Sequence, residues 1–457
     1  LRLILLSGGS GKRLWPLSND SRSKQFLKVL ENENKEYCSM VQRVYSQLNK
    51  ADLSNSTIIA TSKSQVEMLQ NQLGDNIPII VEPARRDTFA AIALAATYLY
   101  SMEESNPEEV IGVLPVDPYV DDRFFDRISE LENLLTKTEA DLALIGVNPT
   151  FPSSKYGYII PKDNEEKNIN DYIDVDHFIE KPSEIEALKL IQKKALWNCG
   201  IFAFKIKYIL NILESKKLPI NYNELLSRFS EIPKNSFDYE VVEKAERIVA
   251  LTYDGYWKDL GTWNTLTEEM STNIIGKGKI SEDCKDVHIV NELDIPLVVL
   301  GASNLIVAVS PDGILVSDKD TSPKIKEYTS EFNERPMYEE RRWGWYRILD
   351  YTKTENDKEV ITKRIGLNAG MNLSYQYHDF RSEVWTIIKG TGQCIVNGVL
   401  MNVDEGDVIK INSGDKHSIK AFSDIELIEV QTGTQIIEED IVRICFDWED
   451  INKSINR

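Results

Sequence analysis

The sequence predicts an α/β domain on a largely parallel, helix-covered sheet, then a short β-rich segment, then an all-β barrel. Three observations carry this reading. In the first half, short apolar runs alternate with amphipathic stretches, the pattern of strands joined by crossover helices. From about Ile275 the long helical stretches disappear and short strands follow one another. After Trp343, turn signals recur at the spacing of a small barrel or jelly roll. The boundaries this implies are 1–270, 271–335 and 336–457. A chain of 457 residues with 42% hydrophobic residues is long and apolar enough for two or three such cores.

Leu3 to Leu6 form the first buried strand, and Gly8, Gly9 and Gly11 follow at once. Ser56–Ala60, Pro78–Val81, Val110–Leu114 and Asp141–Gly146 read as further strands, and alanine-rich Asp87–Tyr100 as a helix. In parallel sheets ligands bind beyond the carboxyl ends of strands. The glycine loop and Asp117 both lie at such ends. Pro296–Leu300, Leu305–Ala308 and Gly313–Val316 are strands of the middle segment, and polar Lys324–Arg335 reads as a helical connector. Asn397-Gly398 is a strong hairpin signal, with turns at Glu405–Asp407 and Ser413–Asp415.

The 53 basic and 73 acidic residues leave a net charge of −20, which argues against nucleic acid or an anionic membrane as partner. A local pocket can still be basic. Five cysteines are scattered with no C-x-x-C pair, so neither a disulfide framework nor a cysteine zinc site is indicated. No apolar run is long enough to span a bilayer, and the N-terminal run leads straight into the glycine loop. A cytoplasmic protein is expected, as a homo-oligomer.

A glycine cluster after a strand lets backbone N–H groups curl around phosphates. Arg13 and Lys24 bring two cations to the same place, completing a triphosphate cradle. Two common cradles are excluded. A P-loop needs Gly at position 6 and Ser or Thr after Gly-Lys, but the chain has Leu6 and Arg13 there. The dinucleotide fingerprint fails at Leu14. A plain strand-to-helix turn would account for three glycines, but not for Arg13, Trp15, Pro16, Lys24 and Gln25 as well.

Gly8-Gly9-Ser10-Gly11-Lys12-Arg13-Leu14-Trp15-Pro16-Leu17-Ser18, followed by Lys24-Gln25-Phe26, resembles the signature of the mannose-1-phosphate guanylyltransferases, within the sugar-nucleotide pyrophosphorylases. Lys12 stands where the family usually has Thr, and Ser23 where it has Pro. The resemblance runs in order along almost the whole chain. It implies a nucleotidyltransferase domain on a Rossmann-like mixed sheet, then a β-helix-like segment. Leu6, Gly8, Gly9, Gly11, Arg13 and Lys24 would bind the nucleotide. So would Glu82, Arg86 and Asp87 of Glu82–Thr88, which is similar to Glu-Pro-x-x-Arg-Asn-Thr near the base; Asp87 replaces the Asn and removes an amide donor.

Leu114-Pro115-Val116-Asp117 is similar to the family's Leu-Pro-x-Asp-His, with Pro118 in place of His. Asp259, in Trp257–Trp263, matches Trp-x-Asp-x-Gly-Ser-Trp. By the resemblance these two carboxylates hold Mg2+, which commonly takes one or two carboxylates with phosphate oxygens and water. Arg13, Lys24, Asp117 and Asp259 would be the catalytic set. Gly157, Glu180, Lys181 and Asn198 would line the sugar-phosphate pocket, with Cys199 replacing a Ser. Glu180-Lys181 also reads as a solvated pair before a helix with Pro182 at its first position, and Trp197 and Phe202 as core.

Arg341–Trp345, Lys363–Ile365 and Gln376–Trp385 are similar to the C-terminal isomerase domain of the bifunctional mannose-phosphate enzymes, a cupin. The family's Gln-x-His-His-His-Arg-x-Glu-His-Trp loses three histidines here, at Asp379, Phe380 and Val384. Gln376, His378, Glu383 and His417 remain as a four-ligand set for Zn2+ or another divalent ion. The competing reading is a barrel kept only for dimerisation or stability.

The resemblance thus implies transfer of GMP from GTP to mannose 1-phosphate, giving GDP-mannose and pyrophosphate, with mannose-6-phosphate isomerase as a second activity. One alternative is nucleotidyl transfer to another sugar 1-phosphate with a structural cupin. Another is a non-catalytic sugar-nucleotide sensor, which need not retain Arg13, Lys24, Asp117 and Asp259. If the barrel is separate, removing everything after Pro336 should leave transfer largely intact.

Overall fold

The computed structural model describes residues 1–9, 11–162, 172–332, 334–354, 357–437 and 440–455. A nine-stranded sheet organises the first 253 residues. One half is parallel: Ile79–Glu82, Thr57–Ser62, Arg2–Leu6 and Val110–Pro115 lie side by side in that order. Leu196–Lys205 then joins antiparallel to Val110–Pro115, so the sheet is mixed, and Leu142–Val147 with Ile248–Tyr253 forms a further parallel pair beyond it. Beyond it run Leu142–Val147, Ile248–Tyr253, Tyr172–Ile179 and Tyr158–Pro161.

Strands and helices expected from apolar periodicity form within two residues of their expected ends. The helix at Asp87–Ser101 is buried nearly all round. Its alanines let it lie close between the sheet and the helix Ile206–Ser215, in a core with Phe89, Ile92, Leu210 and Leu213. The opposite face of the sheet is covered by Met40–Lys50 and Arg123–Thr138, around Val44, Phe124, Ile128 and Leu131.

In the middle segment Ile274–Ile275, Lys285–Asn291 and Ser303–Ser310 stack in parallel, as do Gly278–Ile280 and Leu297–Val299. Such short parallel coils make a β-helix-like body. It packs onto the signature loop: Val290, Ile306 and Ala308 share a core with Leu14, Leu17 and Trp263, and the Ser310 hydroxyl donates to the Pro16 carbonyl at 2.8 Å. The connector is less helical than expected. Its helix spans Ile325–Thr329, after a 3-10 turn at Ser322–Lys324. Five residues bury two side chains, Ile325 and Thr329, and the polar stretch after Thr329 adds only Phe332, which packs on Trp15.

The C-terminal region is a two-sheet barrel of six and five strands. Asn397 and Gly398, both at positive φ, turn the hairpin between Gly392–Val396 and Val399–Val403.

Candidate active site

The strand Arg2–Leu6 delivers the glycine loop to the edge of a cavity of about 280 Å3. Leu6, Gly8, Gly9, Gly11 and Lys24 line one side, and Glu82, Arg86, Asp87 and Asp117 the other. The loop is held from behind by its carbonyls. Gly9 accepts from the Ser23 hydroxyl at 2.7 Å and the Gln65 amide at 3.0 Å, Ser7 accepts from the Gln25 amide at 3.2 Å, and Gly11 accepts from Ser18. The N–H groups of Gly8, Gly9 and Gly11 make no hydrogen bond among the described residues. Free N–H groups in a glycine turn are the elements of an anion nest. A side chain on Gly11 would collide with the Lys24 backbone, so the loop closes only with glycine there. Arg13 is exposed, does not line the cavity, and has no hydrogen bond or ion pair among the described residues.

Asp117 and Asp259 meet because Pro118–Val120 and Trp257–Asp259 pair as a small antiparallel ribbon, with Asp259 opposite Pro118. Lys24 lies between the two carboxylates, its Nζ 2.6 Å from Asp117 Oδ2 and 3.4 Å from Asp259 Oδ1. Burial opposes its charge, but the two carboxylates outweigh this and raise its pKa; Arg13 acts in the opposite sense. Two partly exposed carboxylates beside Lys24 are the hard oxygen donors that Mg2+ takes, so the residues fit that ion.

Glu82 ends its strand buried at 6% exposure, and its carboxylate makes no hydrogen bond or ion pair among the described residues. Burial pushes its pKa up to about 7; Arg85 pulls it down and Asp87 pushes it up. Asp87 opens its helix at φ 68°, a strained value for a non-glycine residue that recurs at ligand sites. Arg86 also donates to the Ile232 carbonyl at 2.7 Å, which ties it to the fold. Arg85 and Thr88 line the cavity too and were not singled out, although they lie in the Glu82–Thr88 run itself.

On the sugar side, Gly157 sits where any side chain would strike Phe178 and Glu180. Its carbonyl accepts from the Asn198 N–H at 2.8 Å. Glu180, 9% exposed, is paired with Lys181, whose φ of 47° is again positive. The four residues thus form one cluster. Sequence reasoning missed its fifth member, Asp238, which accepts from the Asn198 amide at 2.9 Å and whose pKa is raised by burial and by Glu180. It stands on the four-residue helix Phe237–Glu240, in no quoted motif, and only the fold brings it here. Trp197 packs on Phe151 and Tyr156, and Phe202 on Phe237, as core.

In the barrel, Glu383 is the centre of a buried cluster. His378 Nε2 lies 3.2 Å from one oxygen and His417 Nε2 3.6 Å from the other. Arg381 at 3.1 Å, Trp385 at 3.2 Å and Gln431 at 2.8 Å donate to the same carboxylate. Burial would raise the Glu383 pKa, but His378, His417 and Arg381 outweigh it and hold it well below the usual range. Burial lowers that of His417 against the pull of Glu383. His417 Nε2 is buried with no hydrogen-bond partner. The separations are close to the roughly 3.4 Å edge of a tetrahedron with zinc-ligand bonds of about 2.1 Å. The donor set therefore fits a divalent ion. Gln376 pairs with His417 across strands, and its amide oxygen accepts from Ser374 at 2.7 Å. Phe380 and Val384, two of the three positions where the family's histidines are lost, are 52% and 37% exposed. The strand Arg381–Lys389 turns Arg381, Glu383 and Trp385 inward, and Val384 faces out by alternation.

Residues 2–274 match the family model for nucleotidyl transferases, and residues 331–446 that for the C-terminal part of mannose-6-phosphate isomerase. A mannose-1-phosphate guanylyltransferase of Klebsiella pneumoniae is 30% identical, over 96% of this chain and 98% of that protein. Xanthan biosynthesis protein XanB of Xanthomonas campestris pv. campestris is 29% identical, over 96% and 97%. Among solved structures, one described as mannose-1-phosphate geranyltransferase from Thermus thermophilus superposes with a TM-score of 0.60 at 29% identity, covering 73% of this chain and 99% of that one. No helix among the described residues is long and apolar enough to cross a membrane. With a nucleotidyl-transferase unit ahead of an isomerase-type barrel, and related over nearly its whole length, the chain belongs to the mannose-1-phosphate guanylyltransferase family.

Proposed function

We propose that this protein transfers GMP from GTP to mannose 1-phosphate, releasing pyrophosphate. The observation that carries the reading is Lys24 held between Asp117 and Asp259 at the mouth of the glycine loop. A phosphate oxygen of the sugar 1-phosphate attacks the α-phosphorus, and the bond from that phosphorus to the bridging oxygen of pyrophosphate breaks. The attacking phosphate is already anionic at neutral pH and needs no general base. Catalysis then consists of in-line positioning and of neutralising charge on the departing group. The loop N–H groups and Lys24 serve the triphosphate, Arg13 adds positive charge from outside the cavity, and Lys181 offsets repulsion between the two anions. Glu180, Asn198 and Asp238 offer hydrogen-bond partners to sugar hydroxyls. Mg2+ held by Asp117 and Asp259 supplies further charge neutralisation on the phosphates. A pyrophosphate-release assay over a grid of nucleoside triphosphates and sugar 1-phosphates tests the reading and separates it from transfer to another sugar or base. Release of none by any pair would favour the sensor alternative.

A second reading is favoured by the unpartnered His417 Nε2 beside Glu383 and His378. In it the barrel interconverts mannose 6-phosphate and fructose 6-phosphate. A zinc-like ion held by His378, Glu383, His417 and Gln376 would polarise the sugar carbonyl. Arg381 and Gln431 fix the Glu383 carboxylate, and Arg381 offers charge to an anionic substrate. The competing structural role predicts no metal and no isomerisation.

A further inference from the structure

The residues flanking Lys24 are tied, on both sides, to the first strand of the C-terminal barrel. That strand, Tyr338–Arg341, is an edge strand of the six-stranded sheet. It runs against the helix Val66–Leu73 of the first domain, where Asn71 donates to the carbonyls of Arg341 at 2.8 Å and Gly344 at 3.3 Å. Tyr338 and Glu340, two apart on the strand, share a face.

Two residues before Lys24, Arg22 is buried. Both terminal nitrogens of its guanidinium reach Glu292 of the β-helix-like segment, at 3.0 and 2.9 Å, and the group lies over the Tyr338 ring, 5.1 Å from its centre. Two residues after Lys24, the Phe26 carbonyl accepts from the Gln72 amide at 3.0 Å, and the same amide nitrogen donates to Glu340 Oε2 at 3.1 Å. The Gln72 amide oxygen is itself fixed by the Ser39 hydroxyl at 2.6 Å. Glu340 is 7% exposed, with Lys28 Nζ 3.7 Å away and the Tyr338 hydroxyl at 3.5 Å. Burying a carboxylate is costly unless it is bonded, and Glu340 is bonded to the Gln72 amide that also donates to the turn Lys24–Phe26.

We infer that Glu340 is a positioning residue for nucleotidyl transfer: through Gln72 the barrel's first strand fixes the turn that presents Lys24 to the phosphates. The transfer site is then completed by a side chain 316 residues further along the chain than Lys24. The inference rests on the reading of Lys24 as a phosphate-facing cation.

The test uses full-length protein with Glu340→Ala, Glu340→Gln and Gln72→Leu. A displacement of about 1 Å at a positioned group costs roughly 100-fold in rate, so Glu340→Ala should lower kcat for transfer roughly 10- to 100-fold, with a smaller change in KM for GTP. Glu340→Gln still accepts from Gln72 and should restore kcat to within about threefold of wild type. Gln72→Leu should match Glu340→Ala, and the double variant should be no worse than either single one, because both break one bridge. Acetylation of Lys24 by an amine-reactive reagent, followed by mass spectrometry, reads the same displacement without substrate: its rate should change in Glu340→Ala and return to the wild-type value in Glu340→Gln. Unchanged kcat and unchanged Lys24 labelling in Glu340→Ala would overturn the inference. So would equal losses in the Ala and Gln variants, or additive losses in the double variant. If wild-type protein transfers no nucleotide, the functional reading fails, while the labelling comparison still decides the role of Glu340.

Discussion

Asp117 lies just before one three-residue strand and Asp259 ends another, and both contact one cation, Lys24. Asp117→Asn and Asp259→Asn should each lower kcat by at least ~100-fold, given the charge a bound metal stabilises. Turnover near wild type in either variant removes that residue from the site. Glu82 gives a different kind of test. Its folded pKa of about 7 lies above the ordinary glutamate value of 4.5, so the folded state holds a proton that the unfolded state has released. Stability from this group is therefore complete below about pH 4.5 and is lost as pH rises through 7. Glu82→Gln removes the term. Melting curves of the two proteins should converge near pH 4.5 and separate toward pH 7.5, with wild type the less stable; parallel curves across that range contradict the assignment. Of the residues marked by motif, Gly8, Gly9, Gly11, Lys24, Glu82 and Asp117 line one cavity and Arg13 does not. Asp238 was not legible, because a lone carboxylate on a four-residue helix carries no periodicity or spacing that marks it.

At the scale of elements, strands and helices with a strong period were readable, and pairings between distant short pieces were not. Pro118–Val120 and Trp257–Asp259 are too short to show alternation, yet their pairing brings the two carboxylates together. In the barrel, alternation along Arg381–Lys389 decides which substitutions matter. Phe380 and Val384 face outward, so their loss of histidine leaves His378, Glu383 and His417 facing one another. The protein should bind one divalent ion in the barrel, measured by elemental analysis after metal loading and desalting. His378→Ala and His417→Ala should each abolish that binding and the isomerisation of fructose 6-phosphate, since loss of one of few ligands removes most of a site's affinity. A full complement of metal in both variants would place the site elsewhere.

At the scale of the molecule, the division of the chain was visible in its changing periodicity, but the contacts between its parts were not. Treated as a separate unit, the barrel should be removable without loss of transfer. The contacts of Tyr338 and Glu340 behind the Lys24 turn give the opposite expectation. A chain ending at Pro336 should stay folded by circular dichroism and lose transfer roughly 10-fold or more; wild-type kcat in that shortened chain would show that the first domain needs nothing from the barrel. Sequence could not reveal this, because Glu340 reads as one more charged residue until the fold buries it.

The measurement that bears most directly on the account is release of pyrophosphate by the full-length protein with Mg2+, across paired nucleoside triphosphates and sugar 1-phosphates. GTP with mannose 1-phosphate should give the highest kcat/KM, with GDP-mannose as the second product. No release with any pair, or a higher kcat/KM for another base or sugar, would contradict it.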